Sequence, residues 1–215
     1  MSSANDPSPG PTDWTVYYQS VPWTAHLTRS YTRGVLLRVL ARYCDKCESI
    51  IEFGGANSCF LDSILRSVKP RLYSVVDTNQ FGLELLISHP GYGHIVSLHN
   101  DSIFDFIPSN PADCAFSVGL VEHFDVNLTR RAVEAHFNAV RPGGLVVITF
   151  PTPTFLYRSI RGLLESAGLW KFPDERPLLP AEVIAAIGER GEIVEQRTLW
   201  PLLLTQHLVV SRRIK

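Results

Sequence analysis

The chain has 215 residues, 45% of them hydrophobic and 19% charged, with a formal net charge of −1 at pH 7. That length suits one domain with a sizeable buried core, and the near-neutral balance gives no general attraction to nucleic acid or to an anionic membrane surface. No apolar run approaches the ~20 residues of a membrane span.

Residues 1–11 are rich in Ser, Pro and Gly rather than basic and then apolar, so they read as a flexible tail and not a signal peptide. One domain is then expected over 12–215, in the cytoplasm. Residues 12–48 form its helical preface: Thr12 or Asp13 caps a first turn, Pro22 interrupts, and 31–43 sets Leu36, Leu37, Val39 and Leu40 opposite Arg33, Arg38 and Arg42. Cys44 and Cys47 have the C-x-x-C spacing, but no second pair follows to complete a zinc site, and the pair precedes a strand instead of following one.

A β-branched run at 49–53 ends on Glu52 and Phe53, then meets Gly54, Gly55, Ala56 and Asn57, and a pattern of helical spacing follows over 58–68. This is strand, tight turn and helix, the opening unit of an open α/β sheet with a ligand at its carboxyl edge. The G-x-G-x-x-G dinucleotide pattern is not met. A second buried strand, 72–76, leads to Asp77, which stands 25 residues after Glu52. An acid there is placed to accept hydrogen bonds from a ribose, or else to cap the next helix, 79–88.

A short strand at 95–98 follows the Gly91-Tyr92-Gly93 turn, a fourth strand covers 113–118, and a helix covers 128–140. Arg141-Pro142-Gly143-Gly144 reads as the close of that helix, before a continuous apolar fifth strand at 145–150. Strands alternating with helices predict right-handed βαβ units and a parallel sheet. After Phe150 prolines punctuate the chain. Helices are expected at 155–167 and 180–189, then two strands at 192–198 and 205–210, too close together for a parallel crossover and so paired as a hairpin. The fold class is α/β, a Rossmann-like doubly wound sheet of seven strands, mostly parallel, with an antiparallel C-terminal hairpin strand.

These pieces together resemble the class I S-adenosylmethionine-dependent methyltransferases, in particular the small-molecule group described as type 11. The matching stretches are Glu52 to Ala56, Asp77, Asn100-Asp101-Ser102, Ser117 to Phe124, and Arg141 to Leu145, in the family's order over about half the chain. The resemblance implies S-adenosyl-L-methionine as cofactor. Glu52, Gly54 and Gly55 would lie by its methionine part, Asp77 and Thr78 by the ribose, Asp101 and Ser102 by the adenine, and Ser117 to Gly119 under the methionine again. Asp101 is otherwise a solvated loop acid. In similar quinone O-methyltransferases two glutamates and a histidine hold a metal, but the earlier glutamate position is Gly119 here, so no metal is expected. His123 is the candidate general base, or else shapes the turn and caps the next helix.

The resemblance further implies methyl transfer to a small acceptor, such as a sugar, a nucleotide-sugar or another secondary metabolite, with no nucleic-acid or membrane partner and with a homodimer left open. An inactive methyltransferase-like binding module is the alternative function. A NAD-dependent oxidoreductase ranks third, given the missing glycine pattern and the terminal hairpin. Acceptor choice is expected in the insertion 151–180, just beyond the carboxyl end of strand five. Phe155, Tyr157, Arg158, Arg161, Trp170 and Lys171 are its candidate lining, closed from the N-terminal side by Tyr17, Tyr18 and Trp23, and the cations would suit an anionic acceptor. The alternatives are an amphipathic helix packed on the sheet and an aromatic packing cluster.

Overall fold

The computed structural model of the chain describes residues 10–87, 93–200 and 204–215, with the side chains of Trp23 and Thr24 excepted. The tail over 1–9, the turn at Gly91 and Tyr92, the loop at 201–203 and the expected role of Trp23 lie outside those residues. In chain order come α1 (Trp14–Gln19), α2 (Trp23–Tyr43), β1 (Ser49–Phe53), α3 (Leu61–Ser67), β2 (Leu72–Asp77), α4 (Gln80–Ile87) and β3 (Val96–Asn100). Then follow β4 (Ala112–Val118), α5 (Val126–Ala139), β5 (Val140–Pro151), α6 (Phe155–Ser166), α7 (Pro180–Ile187), β6 (Gly191–Leu199) and β7 (Gln206–Arg213).

The seven strands lie in the order β3-β2-β1-β4-β5-β7-β6. The pairs β1 with β2, β1 with β4, β2 with β3 and β4 with β5 are parallel, whereas β7 runs antiparallel to both β5 and β6. The expected hairpin is present, and its second strand is the inner one: β7 fills the place beside β5 and leaves β6 at the edge. The strand order reverses between β1 and β4, which opens a crevice at the carboxyl ends of those strands.

Strand periodicity divides the core into two. In β5, Leu145 and Val147 face α2, α3 and α4, where they join Leu36, Leu40, Leu61, Ile64 and Leu83. Val146, Ile148 and Phe150 face the other way, onto Ala132, Val133 and Phe137 of α5 and Val183 and Ile187 of α7. Both faces are covered, so from Leu145 to Phe150 the strand is apolar but for the buried Thr149, and each fully buried large side chain contributes about 1.5–3 kcal/mol.

The ends of the elements follow local chemistry. Asp13 caps α1 by accepting from Val16 N, Asp125 caps α5 by accepting from Asn127 N and Leu128 N, and Thr154 caps α6 by accepting from Tyr157 N. Arg141 to Gly144 does not cap α5 as expected. The helix ends at Ala139, and the four residues form a bulge inside β5, where the pairing with β4 jumps from Val140 opposite Ala112 to Leu145 opposite Cys114. Gly143 has φ +76°, which a side chain there would resist. Cys44 ends α2, and Cys47 is buried before β1. Hydrogen bonding between these thiols and Cys114, together with burial, pushes both far up, away from the reactive thiolate.

Candidate active site

The loop after β1 supplies the first wall. Gly54 takes φ +69° and donates its N–H to Val76 O at 2.9 Å, and Asn57, the residue standing where a glycine would be expected, takes φ +53°. Asparagine tolerates that left-handed conformation better than other side chains, so the turn does not need a glycine there. Glu52 is buried beneath the turn, where its carboxyl accepts from Tyr73 Oη at 2.6 Å and Ser58 Oγ at 2.8 Å. Burial raises this carboxyl to about 7 despite both donors. A side chain on Gly55 would sit 2.7 Å from Glu52 Cγ, so Gly55 lets the acid pack under the loop instead of touching the ligand space itself.

Asp77, at the end of β2, joins two loops. Its Oδ2 accepts from Ala56 N at 3.0 Å and its Oδ1 from Asn79 N at 2.8 Å. The cap of α4 is Asn79, whose Oδ1 accepts from Gly82 N at 2.7 Å. Burial holds Asp77 above the usual carboxylate range, opposed by these backbone donors. Asp101 follows β3 on the same edge, its N–H bonded to Asp77 O at 3.1 Å, with Ser102 beside it.

The far wall comes from the turn after β4 and from the segment before α7. His123 Nδ1 lies 3.1 Å from Asp174 Oδ1, and burial lowers the imidazole against the pull of that carboxylate. The neutral tautomer that donates Nδ1–H to Asp174 leaves the Nε2 lone pair free to accept a proton. His123 does not cap α5, since Asp125 does. Glu122 next to it is 2% exposed, and its Oε2 has no hydrogen-bond partner among the described residues. Glu175 accepts from Tyr157 Oη, and burial raises it to about 7. One ligand atom each from Glu122, His123 and Glu175 lie within 4.8 Å of one another, a set that could hold a cation. Gly119 is thus not the only position from which the second glutamate can come.

Helix α1 lies across the opening between the two walls. Asn79 Nδ2 donates to Thr15 Oγ1 at 3.0 Å on one side, and on the other Thr12 Oγ1 donates to Asp174. The ring centroids of Trp14 and His123 are 5.0 Å apart, and those of Tyr17 and Phe172 5.1 Å. The aromatic cluster is therefore both a packing unit and a cover.

These walls enclose one cavity of about 1120 Å³, above the ~300–1,000 Å³ of a pocket for a single small ligand. Glu52, Gly54, Asp77, Thr78, Asp101, Ser102 and Gly119 line it, as do His123, Tyr17, Tyr18, Tyr157, Trp170 and Lys171. Gly55 and Ser117 do not. Ser117 is buried behind the wall, with His136 Nε2 2.9 Å from its hydroxyl, and serves the packing of α5 on the sheet. Phe155 is 88% exposed, and Arg158 is exposed as well. Arg161 also lies outside the cavity wall, bonded to Glu165, to the Tyr157 hydroxyl and to the Glu175 carbonyl, with its guanidinium 5.0 Å from the centre of the Trp170 ring. The helical spacing over 155–167 placed these residues on α6 but could not say which side of it faces the ligand space.

Four lining residues were not among the expected site residues, though Glu122 lies within the matching stretch 117–124. Arg29 reaches the cavity from α2 and donates to Tyr17 Oη at 3.3 Å; Glu122, Asp174 and Glu175 bring carboxyl groups to the opposite end. Only the fold brings 122 and 175 together.

No protein-family model and no curated protein matches the chain. Solved structures do. The N-methyltransferase NodS from Bradyrhizobium japonicum WM9, in complex with S-adenosyl-L-homocysteine, superposes with a TM-score of 0.68 at 13% identity over 93% of this chain and 92% of that one. The magnesium protoporphyrin IX methyltransferase ChlM from Synechocystis PCC 6803, also with bound S-adenosyl-L-homocysteine, gives 0.72 at 10% identity, again over 93% and 92%. The pyocyanin biosynthetic protein PhzM gives 0.63 at 18% identity over 94% of this chain and 62% of that one. From the order of its seven strands to the crevice at their carboxyl ends, the chain has the fold of the S-adenosylmethionine-dependent methyltransferases.

Proposed function

We propose that this chain is an S-adenosyl-L-methionine-dependent methyltransferase acting on a small-molecule acceptor. The observation that carries the reading is a cavity whose one end has a backbone loop and two acids in cofactor-type positions, and whose other end has a part-buried histidine held neutral and a cluster of carboxyl groups. The residues fit such a cofactor. Asp77 offers a carboxylate to the ribose hydroxyls, Asp101 and Ser102 border the adenine space, and the main chain at Gly54 and Gly119 leaves room for the methionine part. Arg29 is a cation on the same wall, suited to the methionine carboxylate. The cofactor supplies a sulfonium methyl group as the electrophile.

The protein's own part in such a displacement is mainly to hold the two reactants in line and to exclude water. Trp14, Tyr17, Tyr18 and Phe172 cover the cavity. The His123 imidazole, oriented by Asp174, is placed to take a proton from an acceptor atom at the far end. The insertion 151–180 serves the acceptor through Tyr157, Trp170, Lys171, Asp174 and Glu175. Of the three cations behind the expected anionic acceptor, Lys171 lines the cavity, whereas Arg158 and Arg161 lie outside its wall and border a second, more open pocket beside it. All four cysteines are free thiols, as suits a reducing compartment, and the cytoplasm is the location proposed. No helix among the described residues is long and apolar enough to cross a membrane.

Calorimetry with S-adenosylhomocysteine and a methyl-transfer assay over an acceptor panel test the reading. Binding with turnover of some acceptor is the expected result. Binding with no turnover over a broad panel would favour an inactive binding module, and no binding by folded protein at millimolar concentration would end the cofactor reading.

A further inference from the structure

The acceptor end of the cavity is built for positive charge. Glu122, 2% exposed and with its Oε2 unpartnered among the described residues, lines it, and one ligand atom each from Glu122, Glu175 and His123 lie within 4.8 Å of one another. Asp174 stands behind the histidine at 3.1 Å. Arg161 keeps its guanidinium 3.9 Å from the Glu175 carboxylate and spends its N–H groups on Glu165, Tyr157 and the Glu175 carbonyl, and Lys171 lines the same cavity. Burial, and after it the charge of Glu175, pushes the Glu122 carboxyl well above its ordinary range. A cation placed between the two removes that cost.

Aromatic rings complete the surroundings. The Trp14 and Phe172 centroids are 5.8 Å apart, each facing His123, at 5.0 and 6.2 Å, and Trp170 joins Phe172 to Tyr157 at 5.8 and 6.4 Å. Ring faces attract an organic ammonium ion. They give a hard divalent ion none of the oxygen ligands it needs to complete its shell.

We propose that the methyl acceptor is an amine, docked as its ammonium ion with N–H bonds to Glu122 and Glu175 and its carbon skeleton against Trp14 and Phe172. This rests on the methyltransferase reading above and names its acceptor class. In the reaction the ammonium gives one proton to Nε2 of His123, and the nitrogen lone pair forms the N–C bond to the sulfonium methyl. The C–S bond breaks with its electron pair going to sulfur. The product leaves as a methylated ammonium with S-adenosylhomocysteine, and the proton held by His123 passes to solvent.

The test compares benzylamine, benzyl alcohol and benzoate as probes, titrated at pH 7 into protein saturated with S-adenosylhomocysteine. Benzylammonium should bind about tenfold or more tightly than either of the other two, and the preference should shrink to a few-fold or less in Glu122→Gln combined with Glu175→Gln. Near-UV circular dichroism checks the fold of that variant, and the wild-type comparison stands without it. Equal binding of the three probes, or tighter binding of benzoate, overturns the proposal. So does saturable Mg²⁺, Mn²⁺ or Zn²⁺ binding lost in the same variant, which would make the cluster a metal centre. Failure of S-adenosylhomocysteine to bind removes the cofactor reading and this inference with it, whereas its binding without an amine preference removes this inference alone.

Discussion

Replacing Asp77 by alanine separates two roles that its carboxylate has at once. In the folded protein it accepts main-chain N–H bonds from Ala56 at 3.0 Å and Asn79 at 2.8 Å, which tie the loop after β1 to the start of α4. It also lines the cavity, where the proposed cofactor would set its ribose. Hydrogen bonds to a charged acceptor are worth about 1.5–3 kcal/mol. A lost pair of ribose contacts should therefore weaken S-adenosylhomocysteine binding roughly 10- to 150-fold, at about 1.4 kcal/mol per tenfold. The two stranded amides are part-exposed and regain water, so the stability loss should be of the order of 2–3 kcal/mol, or a fall in Tm of roughly 4–12 °C for a domain of this size. Calorimetry reads the first effect and differential scanning the second. Asp77→Asn, which keeps one acceptor oxygen and turns an NH2 towards the other amide, should recover at most about half of the stability and little of the affinity. A folded Asp77→Ala variant that binds S-adenosylhomocysteine within twofold of the wild type would refute the ribose role and leave only the loop brace.

Ser117→Ala should leave cofactor affinity unchanged while costing about 1–3 kcal/mol of stability, because it strips a buried partner from His136 Nε2; weakened S-adenosylhomocysteine binding at unchanged Tm would contradict this. Arg158→Ala should leave acceptor KM and kcat alone, whereas Arg161→Ala should raise KM by releasing Tyr157 and Glu175, a split that steady-state kinetics reads directly. Glu52 has a folded-state value of about 7 against an ordinary 4.5, so it favours folding below about 4.5 and loses that contribution as pH rises towards 7. The neutral buried His136, lowered to about 4, works in the opposite direction, losing its contribution as pH falls from 6.5. The difference in Tm between Glu52→Gln and wild type should hence shift in favour of the variant between pH 5 and 8; a pH-independent difference would show that Glu52 is not held neutral. Gly82→Val should loosen α1 and weaken cofactor binding, since even a Cβ there meets Ala56 Cβ at 2.7 Å and the Tyr18 ring at 2.9 Å.

The α/β class, the order of its elements and the acid at the end of each of the first two strands were legible in the sequence because they rest on local rules. Period-2 and period-3.6 apolar patterns mark strands and helices, and a buried parallel strand such as 145–150 is apolar but for Thr149. The short link between β6 and β7 was enough to make them antiparallel. Local chemistry reached less far at Arg141 to Gly144, where a helix stop and a strand bulge use the same residues and only the pairing with β4 separates them. It reached no further at Ser117, whose position after β4 matches a ligand-facing turn but whose hydroxyl is turned to His136. What the tertiary structure alone decided is the character of the acceptor end. The direction in which α6 presents Arg158 and Arg161, and the approach of Glu175 to Glu122 across more than fifty residues of chain, depend on how the segment after β5 returns over the sheet. No spacing rule encodes that path, so Arg158 and Arg161 stand outside the cavity while Glu122, Asp174 and Glu175 join Lys171 in its wall.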